Sequence, residues 1–307
     1  MSGGFRANAQ PGFRQDTDME PTAEPEENAI TFACEGRLLV GVLSGAAVAS
    51  ELGVLIVVGG PQYRVGSHRQ FALLARRLAG NGIPTLRFDY RGMGDSEGES
   101  HSFESVEADI RCAIDQLVAR VSTVKQVVIW GLCDAASAAL FYAHLDPRVI
   151  GLVLLNPWVR TPQGAARVQL RHYYLTRVFQ AGFWRKLAGG KLQFRATLES
   201  LVQSIADAFG ASGSKDDDVI TRESAPLPDR MANGLERFKG AVLLILSGND
   251  LTAQEFKDVV ASSRRWQRLL ADPRVTRFDL PEANHTFARR DWRDQVARWT
   301  EEWVKAC

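Results

Sequence analysis

A cysteine stands where a predicted strand passes directly into a helix of small residues. The apolar run 124–130 is followed by Gly131, Leu132 and Cys133, and a helix is predicted over 135–145. A side chain on such a sharp strand-to-helix turn is presented to reactants. The helix start lowers the pKa of a thiol and directs backbone N–H groups at negative charge. The pattern therefore indicates a nucleophilic cysteine.

A cysteine nucleophile needs a base, and the base needs a carboxylate that orients it. Of the five histidines, only His285 follows the last predicted strand. Asp250 ends the loop after the strand before that one, whereas the alternative loop begins with Asn156 and offers no acid. We predict a triad of Cys133, His285 and Asp250, and the alternative for Asp250 is an ordinary loop-capping role.

Backbone N–H groups near Cys133 are candidates for an oxyanion hole. One donor is the residue after the nucleophile, Asp134, and a second comes from the turn after a buried strand. That turn is two glycines followed by Pro61, which has no N–H. We predict Gly60 as the second donor, with Gln62 in reserve. The Asp134 carboxylate is expected to project away along the helix, so that its backbone N–H matters more.

The elements that position these residues alternate between strands and helices. Predicted strands cover 30–34, 37–43, 52–58, 84–88, 124–130, 149–155, 241–246 and 275–280, and predicted helices cover 71–78, 105–121, 135–145, a stretch from about 255, and 292–304. Such alternation with short connections predicts a mostly parallel sheet with helices on both faces. The rhythm breaks at 160–233, which we interpret as a helical lid inserted into an α/β core of residues 29–159 and 234–307.

Composition and charge exclude several classes of protein. The chain has 37 Lys and Arg against 36 Asp and Glu, a net charge of +1, so nothing global indicates nucleic-acid binding. The four cysteines are scattered without metal-ligand spacing, which predicts no disulfide framework, no metal and no cofactor. No apolar run approaches the ~20 residues that a membrane-spanning helix needs. We expect a cytoplasmic protein.

Two charged segments have no assigned chemistry. Residues 1–28 carry six acidic residues and read as a disordered leader, with a docking tail as the alternative. Residues 160–195 carry eight Lys or Arg and no acid. This basic part of the lid is either a solvated face or a contact for an anionic partner, such as a carrier-bound acyl substrate or a membrane surface. Gln62, Trp158 and Tyr174 are predicted to bind substrate.

The chain resembles the α/β-hydrolase superfamily over about residues 29–305. The segment 89–96, Asp-Tyr-Arg-Gly-Met-Gly-Asp-Ser, looks like that superfamily's D-x-R-G-x-G-x-S loop, whose role there is structural. The nucleophile motif is usually G-x-S-x-G, whereas here Cys133 replaces Ser and Ala135 replaces the last Gly. The cysteine resembles the dienelactone-hydrolase variant. The resemblance implies the α/β-hydrolase fold, which has a defined position for each residue of the candidate triad.

A closer resemblance rests on four segments, 59–71, 89–98, 131–135 and 247–250. Together they are similar to the exosortase A system-associated hydrolase 1 group, and the part from Gln62 to Phe71 is the most specific. This group occurs near bacterial exopolysaccharide and protein-sorting genes. The resemblance implies a hydrolase or acyltransferase-like enzyme linked to such systems, and it names no substrate.

The candidate residues support acyl transfer through a covalent intermediate. His285 would deprotonate Cys133, whose thiolate would attack an ester or thioester carbonyl to form an acyl-enzyme. Water then completes hydrolysis, or another nucleophile completes acyl transfer. A different class stays open, in which the fold is a non-catalytic binding module and Cys133 only packs. A metal hydrolase lacks ligands at recognisable spacing.

Overall fold

One eight-stranded sheet organises the residues that the computed structural model describes, 25–159 and 225–307. The strands are β1 (Glu27–Cys34), β2 (Arg37–Ser44), β3 (Leu52–Val57), β4 (Thr85–Phe88), β5 (Gln126–Leu132), β6 (Val149–Leu155), β7 (Ala241–Ser247) and β8 (Val275–Leu280). The helices are α1 (Gln70–Gly80), α2 (Glu107–Arg120), α3 (Asp134–Tyr142), α4 (Leu227–Arg237), α5 (Leu251–Ser262), α6 (Arg264–Leu270) and α7 (Arg290–Lys305). None of these helices is long and apolar enough to cross a bilayer.

The strand order brings the candidate residues to one edge of the sheet. The order is β1-β2-β4-β3-β5-β6-β7-β8, in which β1, β2 and β4 pair antiparallel and all the later neighbours pair parallel. Carboxyl ends of parallel strands share an edge, where ligands bind in open α/β sheets. The loops after β3, β5, β6, β7 and β8 therefore meet there. The predicted α/β fold with a mostly parallel sheet is confirmed.

Apolar side chains cover both faces of the sheet. In β3, Val54 and Ile56 belong to a buried cluster with residues of α1 and α7, whereas Leu55 and Val57 belong to a second cluster with residues of α2 and α3. Burial on both faces explains why β3 reads as a continuous apolar run rather than an alternating one.

Several predicted boundaries are wrong. β1 begins at Glu27, so the last two residues assigned to the leader belong to the sheet, where Glu27 pairs with Ser44 and its carboxylate bonds Arg87 at 2.7 Å. Helix α5 begins at Leu251 rather than near 255, and α6 was not predicted at all. Helix α4 overlaps the end of the predicted lid. The remainder of the predicted lid, 160–224, and of the leader, 1–24, lies outside the described residues.

The loop that follows β4 is held by buried polar contacts. The Asp89 carboxylate accepts the Arg64 N–H at 2.6 Å and forms an ion pair with the Arg64 guanidinium. The Ser96 hydroxyl donates to the Asp89 carbonyl at 2.6 Å and accepts the Val40 N–H at 2.8 Å. These bonds fasten the loop to β2 and to the segment before α1. They fit the structural role that the resemblance implies for residues 89–96.

Candidate active site

Cys133 lies on a strained turn between β5 and α3. Its φ is 65° and its ψ is −124°. Residues other than glycine rarely adopt this backbone conformation, which costs about 1–3 kcal/mol. The turn is held by its neighbours, because the Cys133 N–H donates to the Leu155 carbonyl at 2.9 Å and its carbonyl accepts from Ala136 and Trp158 at 3.1 and 3.2 Å. The side chain is 8% exposed. This geometry matches the predicted nucleophile turn.

Close backbone approach explains the small residues of this turn. A Cβ on Gly131 would lie 2.7 Å from the Ala135 carbonyl carbon. The crowding therefore comes from the first turn of α3. A Cβ on Gly59 would lie 2.4 Å from the Leu132 carbonyl oxygen, so the loop after β3 can run against the end of β5 only with glycine there.

His285 and Asp250 meet as the sequence predicts for a base and its orienting acid. His285 Nδ1 lies 2.9 Å from Asp250 Oδ2, and the Asp250 side chain is 6% exposed. With Nδ1 bonded to the carboxylate, Nε2 is the ring nitrogen that Asp250 does not engage. The carboxylate also accepts the Thr252 and Ala253 N–H groups at 3.2 and 3.0 Å. Asp250 thus both orients the imidazole and caps α5.

The surroundings of Asp250 keep it ionised at neutral pH. Burial raises the pKa of this carboxyl, but the hydrogen bond and charge of His285 and the two N–H groups at the start of α5 more than offset burial. The resulting pKa lies below the ordinary value for aspartate. The carboxylate is therefore available to hold the His285 ring wherever the enzyme is folded near neutrality.

The Asp134 side chain does not project away along α3 as expected. Its Oδ1 accepts the Gly60 N–H at 2.6 Å. A Cβ on Gly59 would lie 2.4 Å from this oxygen. The tight turn at Cys133 aims the start of α3 at the loop after β3, so the carboxylate folds back onto it. The carboxylate therefore occupies the N–H of Gly60, one of the two predicted oxyanion donors.

Burial changes the acidity of this carboxyl. It raises the pKa of Asp134, and although the Gly60, Ala135 and Asp134 N–H groups and the charge of His285 act in the opposite direction, the pKa stays above its ordinary value. The influence of His285 also means that its ring lies within electrostatic reach of the residue next to Cys133. A protonated carboxyl is a weaker acceptor than a carboxylate, so protonation loosens the hold on Gly60.

The family model named Alpha/beta hydrolase family matches residues 54–299 of the chain. The chain belongs to the α/β hydrolase family. The match spans β3 to α7 and includes every candidate triad and oxyanion residue. The resemblance to the α/β-hydrolase superfamily is thereby confirmed, and the resemblance to the exosortase-associated group stays a prediction. Among curated proteins, no relative of the chain was found.

Solved structures of other α/β hydrolases share the fold. An esterase of Pyrococcus furiosus has 15% identity and a TM-score of 0.60, with 92% of this chain and 91% of that chain covered. Est1E of Butyrivibrio proteoclasticus, solved with ferulic acid, has 16% identity and a TM-score of 0.57, with 91% and 98% covered. The α/β hydrolase GrgF of a Penicillium species has 16% identity and a TM-score of 0.57, with 92% and 98% covered. At these identities the likeness shows the fold alone.

Asn156 is a site residue that the sequence reasoning missed. It is fully buried with φ 43°, a conformation that asparagine tolerates better than most residues. Its Nδ2 donates to the His285 carbonyl at 3.0 Å, and its Oδ1 accepts the Ser247 N–H at 2.9 Å. Asn156 therefore ties the histidine loop to the ends of β6 and β7. The signal in the sequence is its place directly after a buried strand, where a catalytic acid could stand. From the sequence we noted only that Asn156 is not an acid.

Asn156→Ala is expected to lower both stability and turnover. A buried and a partly buried backbone group lose their partner, at about 1–3 kcal/mol each, so the free energy of unfolding should fall by about 2–6 kcal/mol. Displacement of the His285 loop should lower kcat by about 10- to 100-fold with less effect on KM. Urea unfolding and steady-state kinetics measure the two effects. Asn81→Ala is the control, because that side chain bonds the end of α1 and Lys305 on α7, neither of which belongs to the candidate site. Unchanged kcat in folded Asn156→Ala would contradict the positioning role.

The predicted substrate-binding residues differ in their placement. The Trp158 backbone is bonded on both sides to the nucleophile turn, through the Cys133 carbonyl and the Ser137 hydroxyl, and its side chain packs against the cluster that contains Cys133. Gln62 Oε1 accepts the Ser67 N–H at 2.9 Å, so this side chain has a partner in its own loop. Tyr174 lies outside the described residues. Within the described ranges, no group of three potential metal ligands occurs.

Proposed function

We propose that the protein is an esterase or thioesterase that uses Cys133, His285 and Asp250 through an acyl-enzyme. The observation that carries the proposal is the bond of 2.9 Å between His285 Nδ1 and Asp250, at the sheet edge where the strained Cys133 turn ends β5. An imidazole held by a carboxylate, at the same sheet edge as a thiol on a strained turn, supports nucleophilic catalysis.

The proposed reaction has two halves. His285 Nε2 takes the proton of the Cys133 thiol, and the thiolate attacks the substrate carbonyl. The tetrahedral intermediate collapses, the alcohol or thiol leaves with that proton, and an acyl-thioester with the enzyme forms. Water, deprotonated by His285, then attacks this thioester. The carboxylic acid leaves and the thiol is restored.

The oxyanion step needs the Asp134 carboxylate to release its donors. The Gly60 and Asp134 N–H groups can hold a substrate oxyanion only when the carboxylate turns away or is displaced. Each turnover therefore includes the loss of a charged hydrogen bond worth about 1.5–3 kcal/mol. The gain is a two-donor oxyanion hole, in which one donor contributes about 10²–10³ in kcat.

Asp134→Ala is expected to raise kcat at neutral pH by about tenfold, because the Gly60 N–H no longer has to be released by a carboxylate. Asp134→Asn is the matched variant, since its amide oxygen keeps an acceptor at the same place without the charge. Kinetics of both variants across pH measure the effect, and the gain of Asp134→Ala should shrink as acid protonates wild-type Asp134. A loss of kcat in Asp134→Ala would mean that the carboxylate assists the reaction.

The proposal is tested by intact-protein mass spectrometry after incubation with a panel of acyl-thioesters and activated esters. A mass increase equal to the acyl group, present in the wild type and absent from Cys133→Ala, supports the acyl-enzyme and identifies the acyl class. Addition of amine, alcohol or thiol acceptors separates hydrolysis from the alternative, acyltransferase activity with the same triad. Acylated acceptor in place of free acid would favour the transferase.

One observation favours a second candidate, a non-catalytic binding protein. The Asp134 carboxylate occupies the Gly60 N–H, one of the two donors that an oxyanion would need. Iodoacetamide labelling with peptide mapping distinguishes the two candidates. A catalytic Cys133 should react faster than Cys112, and His285→Ala should slow that reaction. Equal labelling of the two cysteines, unaffected by His285→Ala, would leave the binding protein as the better account.

The proposal also covers the substrate class, the cellular location and the biological system in which the protein acts. The basic segment 160–195 lies outside the described residues, and its eight Lys and Arg support an anionic, carrier-bound acyl substrate or a peripheral membrane contact. If it does bind an anion, KM should rise with salt as Debye screening shortens, and KM that is indifferent to salt would remove the idea. A thiol nucleophile must stay reduced, which supports a cytoplasmic location. The resemblance of residues 59–71 supports a link to exopolysaccharide and exosortase systems.

A further inference from the structure

Strand β8 forms one edge of the sheet, and among the described strands it pairs with β7 alone. The Val242 N–H donates to the Arg274 carbonyl at 2.9 Å. At the other end of the pairing, the Gly248 N–H donates to the Leu280 carbonyl at 2.8 Å. Because the backbone groups of a strand alternate in direction from one residue to the next, the even-numbered residues of β8 bond β7. The odd-numbered residues therefore point their N–H and C=O groups away from the sheet.

Arg277 and Asp279 supply the outward-facing backbone groups in the middle of this edge. Each contributes one N–H and one C=O, and no residue of the described ranges bonds any of these groups. Both residues are exposed. An edge strand with unpaired N–H and C=O groups is a template on which a further strand can pair. The backbone of β8 is therefore ready to accept another strand.

The side chains of Arg277 and Asp279 place opposite charges side by side along this edge. The Arg277 guanidinium makes two hydrogen bonds of 2.9 Å to the Asp279 carboxylate, so both side chains lie on the same face of β8. They are 42% and 40% exposed. Lys257 on α5 lies 3.6 Å from the same carboxylate. Charged side chains on an edge discourage unspecific strand pairing, so a strand that pairs here must present the complementary order of charges.

A second copy of β8 presents that complementary order when it runs antiparallel to the first. Twofold symmetry centred on Phe278 sets Arg277 of each chain opposite Asp279 of the other. The outward groups of each such pair can exchange two backbone hydrogen bonds. The ion pair within each chain is kept, because two guanidinium groups and two carboxylates then alternate around a rectangle. On the opposite face Phe278, which stacks on Trp299 at 4.6 Å, meets its counterpart in a closely spaced pair.

The charges also exclude the neighbouring registers. A register centred on Arg277 would set two guanidinium groups directly opposite each other, and a register centred on Asp279 would do the same with two carboxylates. Like charges directly opposite each other destabilise a strand pair. In the register centred on Phe278, the pairing ends at Pro281, which has no N–H to donate. The order of charges thus selects one register and one kind of partner.

We propose that two copies of the chain form a symmetric dimer in which β8 pairs antiparallel with β8, so that the two sheets become one. The same residues contribute from both chains, as in any twofold interface. In such strand addition the main-chain hydrogen bonds provide affinity and the side chains provide specificity. The proposal does not depend on the proposed esterase activity, and its tests use no substrate.

Sedimentation equilibrium of the full chain tests for the dimer. The wild type should dimerise, and Arg277→Asp should raise the Kd of dimerisation by at least about tenfold, because it sets carboxylates opposite each other in both pairs. Arg289→Asp is the matched control, since Arg289 likewise bonds an aspartate two positions later, Asp291 at the start of α7, and its Kd should match the wild type. A wild type that stays monomeric at submillimolar concentration would overturn the proposal, and so would an unchanged Kd in Arg277→Asp.

The double variant Arg277→Asp, Asp279→Arg tests the register and keeps an ion pair within the chain, so it decides the question if Arg277→Asp alone does not fold. Two copies of the double variant match each other and should dimerise with a Kd close to that of the wild type. A double-variant chain beside a wild-type chain places like charges opposite in both pairs, so mixed dimers should be at least about tenfold rarer than matched ones. The two chains have the same mass, so the wild type is labelled with ¹⁵N and native mass spectrometry counts the mixed dimers. Mixed dimers in statistical proportion, or a monomeric double variant, would overturn the proposal.

Discussion

Cys133→Ala is expected to lower kcat by about 10⁴-fold or more and to abolish the acyl-enzyme, because removal of a nucleophile costs that much in comparable triads. The fold should survive, since the change deletes one sulfur atom and the backbone bonds of the turn to Leu155 and Trp158 do not involve it. Steady-state kinetics and intact-protein mass measure the loss, and circular dichroism measures the fold.

Cys112→Ala is the matched control for this loss. Cys112 is partly buried against the apolar cluster on the α2 side of the sheet, so its removal should leave kcat within about twofold of wild type, as expected for a site outside the chemistry. Cys133→Ser asks a finer question, because an alcohol needs a stronger base than a thiol. Substantial turnover by Cys133→Ala would sink the cysteine mechanism, whereas wild-type turnover by Cys133→Ser would show that sulfur is not required.

The sequence predicts the sheet well because buried parallel strands leave a strong local signal. β6 and β8 have the predicted bounds, Val149–Leu155 and Val275–Leu280. β6 is a β-branched and leucine run between turn residues, and β8 alternates exposed Arg277 and Asp279 with partly buried residues. The errors fall at the start of β1 and at helix starts. The sequence analysis interprets Asp250 as a catalytic acid, with a loop-capping role as the alternative. It does not predict that Asp250 caps α5 through Thr252 and Ala253. A capping interpretation would have placed the helix start at Leu251.

The candidate site is predictable where it depends on the type of a residue and on its position after the end of a strand. His285 and Asp250 follow neighbouring parallel strands, and sheet topology brings such positions together. The direction of a side chain on a strained turn is a different matter. The Asp134 carboxylate returns to Gly60 because the loop after β3 passes within contact of α3, and that is a tertiary contact between residues 74 positions apart. No periodicity in the sequence encodes it.

Asn156 shows a second limit of sequence reasoning. Its side chain serves two loops that are far apart in the chain, those at Ser247 and His285. A residue of this kind has no motif, because its role is defined by what it connects. Together with Asp250, which caps a helix and orients the imidazole with one carboxylate, it shows that the site is held by groups that also stabilise the sheet edge. Function and stability should therefore change together at these two positions unless a substitution separates them.

Asp250→Asn is such a substitution and is expected to lower kcat by about 10⁴-fold, as loss of the correct histidine tautomer does in the serine-protease triad. The Asn amide oxygen can still accept one of the two N–H groups that now bond Oδ1 and Oδ2, those of Thr252 and Ala253, and asparagine caps helices as well as aspartate does. The free energy of unfolding at neutral pH should change by much less than the activation free energy that corresponds to this loss of kcat. Kinetics and urea unfolding of the same preparation measure both quantities.

Asp250→Ala provides the contrast, because it removes the cap as well and should cost about a further 1 kcal/mol of stability.

The ionisation of Asp250 should also make the free energy of unfolding depend on pH. Since the pKa of Asp250 is lowered in the folded protein, its ionised form stabilises the fold above the unfolded pKa, and this contribution is lost as the pH falls through the folded pKa. The stability difference between wild type and Asp250→Asn should therefore shrink in acid. Nearly full turnover by Asp250→Asn would reduce this residue to a helix cap, and the His285 ring would then need another group to hold its tautomer.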